Sequence, residues 1–180
     1  MTGGGIVRPI TQIADLVTIV LGWIVGLLLA IATAAVLCQV AVRFLLPLLG
    51  LYLSAPWTEE VARYLLIWAV FLGVAVLCRS YRLIAVEMLA FAFPPRVGTA
   101  LKLFSVVVCI GFFGVVAALG FDWLEMSGIE RSPVMRMPMN WVYLALPVGA
   151  ILSVFNLFVF AAEVLTGQRS ALQANAEMME

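Results

Sequence analysis

Charged residues and histidine are scarce in this sequence, and their scarcity excludes several classes of protein. Lysine and arginine together number 10, aspartate and glutamate 10, and histidine is absent from the 180 residues. Charged residues make up 11% of the chain, whereas soluble domains carry about 25%. Without histidine there is no Ser-His or Cys-His catalytic unit and no haem held by a pair of histidines.

Cysteine is also rare, and its spacing is unlike that of a redox or metal site. Cys38, Cys78 and Cys109 lie far apart in apolar surroundings, and none belongs to a CxxC pair. We read them as small hydrophobic residues, which disfavours a thiol–disulfide enzyme. The net charge is zero, so nucleic acid is not an expected partner. We therefore predict no catalytic, cofactor-binding or metal-binding residues.

What the sequence does contain is four long stretches without a charged residue. They run over residues 16–42, 64–78, 103–121 and 137–162. A helix needs about 20 mostly apolar residues to cross a bilayer. The pattern predicts an all-α integral membrane protein with four transmembrane helices, near 14–42, 57–78, 100–121 and 138–163, in a single domain over 1–180. The first stretch exceeds the apolar core of a signal peptide, about 7 to 15 residues, so we expect a permanent helix.

The connector between the second and third helices is too apolar for a free loop. Leu83 to Phe93 favours a short interfacial helix that the double proline Pro94-Pro95 would end. Arg79 and Arg82, at its start, suit anionic lipid headgroups. Membrane lipids are therefore expected partners at this connector.

The basic residues are distributed unevenly between the two sides of the predicted bundle. The larger set would lie on one side and comprises Arg8, Arg79, Arg82, Arg96, Lys102 and Arg169. The other side would hold Arg43, Arg63, Arg131 and Arg136. By the positive-inside rule both termini are cytoplasmic. The connectors 44–58 and 122–140 then face outwards, into the periplasm if the host is a Gram-negative bacterium.

Polar residues cluster at the outer start of the second helix, beside Trp57. Glu59 and Arg63 are spaced i,i+4 and Glu60 and Arg63 i,i+3, so the three side chains can share one helical face. Arg63 then either pairs with both carboxylates or extends outward to the interface. This is either a locally neutralised helix start or a polar contact to a partner subunit.

Two features within the apolar stretches favour helix packing. Gly22 and Gly26 belong to a stripe of small residues in the first helix, which would permit close approach of another helix. Asn156 is the one strongly polar side chain deep in the fourth helix, where it marks an interhelical hydrogen bond or a transport pathway; we prefer the hydrogen bond. A carrier needs polar groups near the midplane to hold its solute, and their scarcity indicates a helper subunit.

Two motifs resemble a known family. Residues 57–68, WTEEVARYLLIW, followed by Phe71-Leu72-Gly73, resemble the second-helix signature of the small (DctQ-type) membrane subunit of TRAP, or tripartite ATP-independent periplasmic, transporters. Residues 132–149, SPVMRMPMNWVYLALPVG, resemble the start of the fourth helix in that family. After the second helix the family typically has a His-Ile pair and then an acid; here Leu83-Ile84 and Glu87 stand at those positions.

The resemblance implies a non-catalytic subunit of a sodium-coupled secondary transporter for organic acids such as dicarboxylates or sialic acid. It would lie in the bacterial inner membrane, pack against a large DctM-type subunit and help to dock a periplasmic solute-binding protein. Candidate docking residues are those of the third connector: Asp122, Glu125, Glu130, Arg131 and Arg136. Two alternatives remain open. One is a self-contained, homo-oligomeric small transporter or channel. The other is a membrane enzyme or redox anchor, which the absence of histidine disfavours.

Overall fold

The computed structural model describes residues 4–48, 50, 55–80 and 95–166. Within these ranges five helices follow one another: α1 (Gly4–Leu48), α2 (Pro56–Ser80), α3 (Pro95–Met126), α4 (Asn140–Tyr143) and α5 (Ala145–Leu165). Four stretches of this part of the chain are long and apolar enough to cross a bilayer, since α4 and α5 form one span, Asn140–Leu165. The predicted all-α membrane fold is confirmed. The interfacial helix predicted over Leu83 to Phe93, with Glu87, lies outside the described residues.

The helices extend beyond the charge-free stretches that predicted them. α1 has 45 residues, which makes it roughly 68 Å long at 1.5 Å per residue, more than twice the hydrocarbon thickness of about 30 Å. A helix satisfies its own backbone hydrogen bonds, so it continues past the apolar stretch until the chain turns. α1 ends where Gly50 adopts a φ of 75°, the left-handed conformation that commonly closes helices.

The fourth span is divided at Leu144, three residues before Pro147. Proline has no backbone N–H, so Pro147 cannot donate to the carbonyl of Tyr143, four residues earlier. The helical hydrogen bonds resume with the Val148 amide donating to the Leu144 carbonyl at 3.2 Å. Pro147 therefore lies in the first turn of α5, where a missing backbone N–H is tolerated.

The helices pack side by side in the order α1, α2, α5, α3. α1 packs mainly on α2, and α5 lies between α2 and α3. In the most apolar stretch of the fourth span 50% of the residues are buried, against 28% in α2 and 11% in both α1 and α3. The fourth span is therefore the centre of the protein, and α1 and α3 leave most of their apolar surface to lipid or to other protein.

Close packing of α5 against its neighbours depends on two glycines. A methyl group added at Gly149 would lie 2.6 Å from Phe71 Cβ and 2.8 Å from the Phe71 carbonyl oxygen in α2. One added at Gly120 in α3 would lie 2.9 Å from Pro147. Towards the opposite end, Cys78, Val106, Leu157 and Phe160 form a buried apolar cluster of α2, α3 and α5.

Candidate functional site

The connector between α3 and α4 folds into a compact turn structure, residues 127–139, which we call the outer cap. It lies at the end of the bundle predicted to face outwards. The Ser132 amide donates to the Met137 carbonyl at 2.9 Å, and the Met139 amide donates to the Glu130 carbonyl at 3.1 Å. Arg131 and Pro138 form an isolated antiparallel bridge between these bonds. The cap therefore has a defined backbone although it contains no regular helix or strand.

Glu60, in the second turn of α2, anchors the outer cap. Its carboxylate accepts hydrogen bonds from Ser132 Oγ at 2.6 Å, from the Val134 amide at 3.0 Å and from the Met135 amide at 2.9 Å. Glu60 is only 6% exposed. A buried carboxylate is costly unless its oxygens are hydrogen-bonded, and here the loop supplies the donors. We call Glu60 with these three residues the outer site.

The structure corrects the expected partner of Glu60. Arg63 pairs with Glu59 at 2.9 Å, and both side chains of this pair are largely exposed. Gln39 of α1 also donates to Glu59, at 3.3 Å. Arg63 therefore neutralises Glu59 alone, because Glu60 is turned towards the outer cap. Trp57 is half exposed at the start of α2.

The five candidate docking residues lie around the outer cap. Glu130 accepts a hydrogen bond from the Tyr143 hydroxyl at 3.0 Å, and Ser127 Oγ, at the start of the cap, donates to Asn140 Oδ1 at 2.9 Å. All five are exposed, and in the described part of the chain none of them forms an ion pair. The five candidates are Asp122 and Glu125 near the end of α3, and Glu130, Arg131 and Arg136 in the cap.

A second charged cluster lies at the opposite end of the bundle. The Arg79 guanidinium donates to both oxygens of Glu163 in α5, at 2.8 and 2.6 Å. It also pairs with Asp15 of α1 at 2.8 Å. The Arg79 and Glu163 side chains are 7% and 9% exposed, whereas that of Asp15 is 58% exposed. We call these three residues the inner site; they join α1, α2 and α5.

The position of Arg79 differs from the one expected for a headgroup ligand. We expected its guanidinium to face lipid headgroups, but it is buried between two carboxylates because both opposite charges lie on neighbouring helices. Arg82, the other headgroup candidate, lies outside the described residues. Lys102 of α3 is also buried, with its ammonium nitrogen 5.9 Å from the centre of the Phe160 ring. Asp15 and Glu163 were not among the residues predicted from sequence to form a site. The one feature that could have pointed to them is that each directly flanks a charge-free apolar stretch.

The remaining packing candidates lie within the membrane-spanning part. Asn156 Nδ2 donates to the Ala75 carbonyl of α2 at 2.7 Å, and Asn156 is fully buried. This is an interhelical hydrogen bond, the preferred reading of that residue. A methyl group added at Gly22 or Gly26 would meet nothing within 4 Å. Neither of these glycines mediates close packing within the described protein. Gly22 lines a groove between α1 and α2 that also includes Val70 and Gly73.

In the described part of the chain, no metal-ligand cluster is present, and the apolar groove between α2 and α3 has no charged lining for a ligand. The described residues contain no group of three or more His, Cys, Asp or Glu side chains that could hold a metal ion. An apolar groove of about 390 Å³ lies between α2 and α3 towards the outer end, with Phe71, Trp123 and Leu146 in its wall. Its lining offers no charged group to a solute.

Comparisons with known proteins agree with one another. The family model described as tripartite ATP-independent periplasmic transporters, DctQ component, matches residues 32–167. A protein named isethionate TRAP transporter permease protein DctMQ, from Oleidesulfovibrio alaskensis, is 28% identical over 111 residues, which cover 56% of this chain. The matched segment spans only 17% of the length of that relative.

Proposed function

Because this chain belongs to the DctQ family of tripartite ATP-independent periplasmic transporters, we propose that it acts by packing against a large DctM-type subunit. The observation that carries the proposal is the family match, which spans all four predicted transmembrane segments in part or whole. The relative from Oleidesulfovibrio alaskensis bears the name DctMQ, which supports a DctM-type partner. Exposed apolar surface on α1 and α3, and the groove between α2 and α3, leave room for such a partner in the membrane.

We further propose that this subunit does not bind the transported solute or the coupling ion, here taken to be sodium. The buried charged groups of the two sites support this view, because each is engaged by other groups of the chain. Glu60 accepts three hydrogen bonds from the outer cap, and Arg79 holds Glu163 and Asp15. A solute site would require polar groups that are free to exchange partners.

The solute of the complete transporter is proposed to be an organic acid. The name of the relative refers to isethionate, and the resemblance of the motifs suggests dicarboxylates, sialic acid or similar carboxylates. In this proposal the chain lies in the bacterial inner membrane with both termini in the cytoplasm. The outer cap then faces the periplasm, where a solute-binding protein can reach Asp122, Glu125, Glu130, Arg131 and Arg136.

Reconstituted uptake tests this proposal. The chain is co-expressed with a large DctM-type subunit from the same genome, and the complex is purified through a tag on this chain. The solute is chosen by a thermal-shift screen of candidate solute-binding proteins from the same genome against dicarboxylates, sialic acid and isethionate. Proteoliposomes with an inward sodium gradient should accumulate that solute only when this chain, the large subunit and the binding protein are all present.

Two results would contradict the proposal. Equal uptake by the large subunit and the binding protein without this chain would remove its supporting role. Uptake by proteoliposomes that contain this chain alone would favour the self-contained transporter instead.

A further inference from the structure

The outer cap is held on α2 by one carboxylate. Three donors of the cap, one hydroxyl and two amides, converge on Glu60 within 3.0 Å. Ser132 Oγ also accepts a hydrogen bond from the Met135 amide at 3.2 Å, so the turn is tied to itself and to α2 at the same point. Because α2 packs on both α1 and α5, this contact fixes the cap relative to the centre of the bundle.

The outward surface of the cap carries two arginines. Arg131 and Arg136 are exposed, and neither forms an ion pair with the described residues around it. Ile129, in the same cap, is 93% exposed. The carboxylate of Glu130 is engaged by the Tyr143 hydroxyl. Exposed arginines beside an apolar side chain are typical of protein–protein interfaces, where arginine is enriched.

The backbone at Arg136 indicates that this surface is preformed. Arg136 has a φ of 54°, a left-handed conformation that non-glycine residues adopt only when their surroundings impose it. Its amide donates to the Ser132 carbonyl at 3.1 Å. The same residue, Ser132, donates to Glu60. The geometry of Arg136 is thus linked to the Glu60 carboxylate through a single residue.

We propose that Glu60 is a positioning residue that orients Arg131 and Arg136 towards an acidic patch on the solute-binding protein. The inference rests on the proposed docking function. A preformed surface loses less conformational entropy on association than a mobile one. Arg131 and Arg136 can pair with acidic side chains of the partner at short range, whereas the exposed Asp122, Glu125 and Glu130 limit any long-range attraction to an acidic partner. Loss of Glu60 would therefore weaken docking while the arginines themselves remain.

The test is a titration of uptake with binding protein, using the assembled complex in proteoliposomes. Glu60→Gln and Glu60→Ala should raise the concentration of binding protein that gives half-maximal uptake. The double variant Arg131→Ala/Arg136→Ala should raise it about tenfold, the size of effect expected when interface arginines are truncated, and should abolish most of its dependence on ionic strength. The maximal rate at saturating binding protein should be kept in all three. Glu59→Gln and Arg43→Ala serve as matched controls, and their half-maximal concentration should not change.

A second measurement covers the possibility that Glu60 variants assemble poorly. Trypsin cleaves after arginine, so cleavage after Arg131 or Arg136 in detergent reports how well the cap is held. Glu60→Ala and the milder Ser132→Ala should both speed this cleavage relative to the parent protein. Ser132→Ala keeps the carboxylate and should give a smaller rise in the half-maximal concentration.

Several outcomes would overturn the inference. The inference fails if the concentration of binding protein that gives half-maximal uptake is unchanged in the Glu60 or Ser132 variants. It also fails if these variants lower the maximal rate of uptake without changing the half-maximal concentration. Loss of the large subunit from the purified Arg131→Ala/Arg136→Ala complex would assign the arginines to that subunit instead. Each result is separable from failure of the proposed function, which would appear as uptake that does not need this chain at all.

Discussion

The outer and inner sites bury charge in opposite ways. At the outer site one carboxylate, Glu60, is satisfied by neutral donors of a loop. At the inner site one guanidinium, Arg79, is paired with two carboxylates on two other helices. The first arrangement holds a surface element in one conformation, whereas the second joins three transmembrane helices.

Because the two sites are built differently, removal of the central residue has a different effect at each. Removal of Glu60 frees a hydroxyl and two amides at the outer end of the bundle, where water can replace the lost acceptor. Removal of Arg79 takes away the guanidinium that holds the buried Glu163 carboxylate through two hydrogen bonds. Loss of one partner of a buried ion pair is among the most destabilising changes in a protein. The inner site should therefore govern stability, and the outer site should govern the shape of one surface.

Replacement of Arg79 by leucine should give the largest effect. Breaking a buried pair by removing one partner costs roughly 3–5 kcal/mol, so Arg79→Leu should lower the thermal unfolding midpoint of the purified protein in detergent and reduce its yield. Trypsin cleavage of the outer cap should change less than it does in Glu60→Ala, because the two sites lie at opposite ends.

A double variant distinguishes loss of the pair from loss of packing. Arg79→Leu/Glu163→Leu removes both charges and keeps similar side-chain volume, and such replacements are often neutral or stabilising. The double variant should recover most of the stability that Arg79→Leu loses. Asp15 also loses its ion pair with Arg79, but its side chain is 58% exposed and can be solvated. No recovery would show that Arg79 acts through other contacts, and the contrast drawn between the two sites would then be wrong.

The glycine contact between the two sites should give the next largest effect. The added methyl group of Gly149→Ala would meet the Phe71 backbone, which cannot rotate away as a side chain could, so α2 and α5 must separate. Overpacking of this kind costs roughly 1–3 kcal/mol. Since α2 and α5 carry Glu60, Arg79 and Glu163, both thermal stability and protection of the cap from trypsin should fall together.

Gly22→Ala is the matched control for this variant. The same substitution in α1 meets nothing within 4 Å, and alanine favours a helix over glycine to a similar degree at both positions. Its stability should equal or slightly exceed that of the parent protein. Equal behaviour of the two variants would mean that the close contact at Gly149 does not limit packing.

The four spans could be predicted from sequence because a long charge-free stretch has few alternatives to a membrane helix. The partners of the buried charges could not. Local spacing favoured Arg63 as the partner of Glu60, yet the actual donors are 72 to 75 positions away in sequence. Charge distribution assigned Arg79 to the lipid surface, but its partner Glu163 is 84 positions away. Only the packing of the helices brings such pairs together.

Arg63→Ala should have the smallest effect on stability and on cleavage of the cap. It tests the account of the outer site directly, because Arg63 lies only three residues from Glu60 in sequence. The sequence alone suggested that its loss would leave both Glu59 and Glu60 without a neutralising partner. In the structure Arg63 pairs with Glu59 alone, through side chains that are 65% and 59% exposed. An exposed i,i+4 pair contributes roughly 0.3–0.5 kcal/mol, so the unfolding midpoint, the yield of the complex and cleavage of the cap should all stay close to the parent values. If cap cleavage rose as it does in Glu60→Ala, the Glu60 carboxylate would depend on Arg63 after all, and hydrogen bonds from the cap alone would not explain how that buried charge is held.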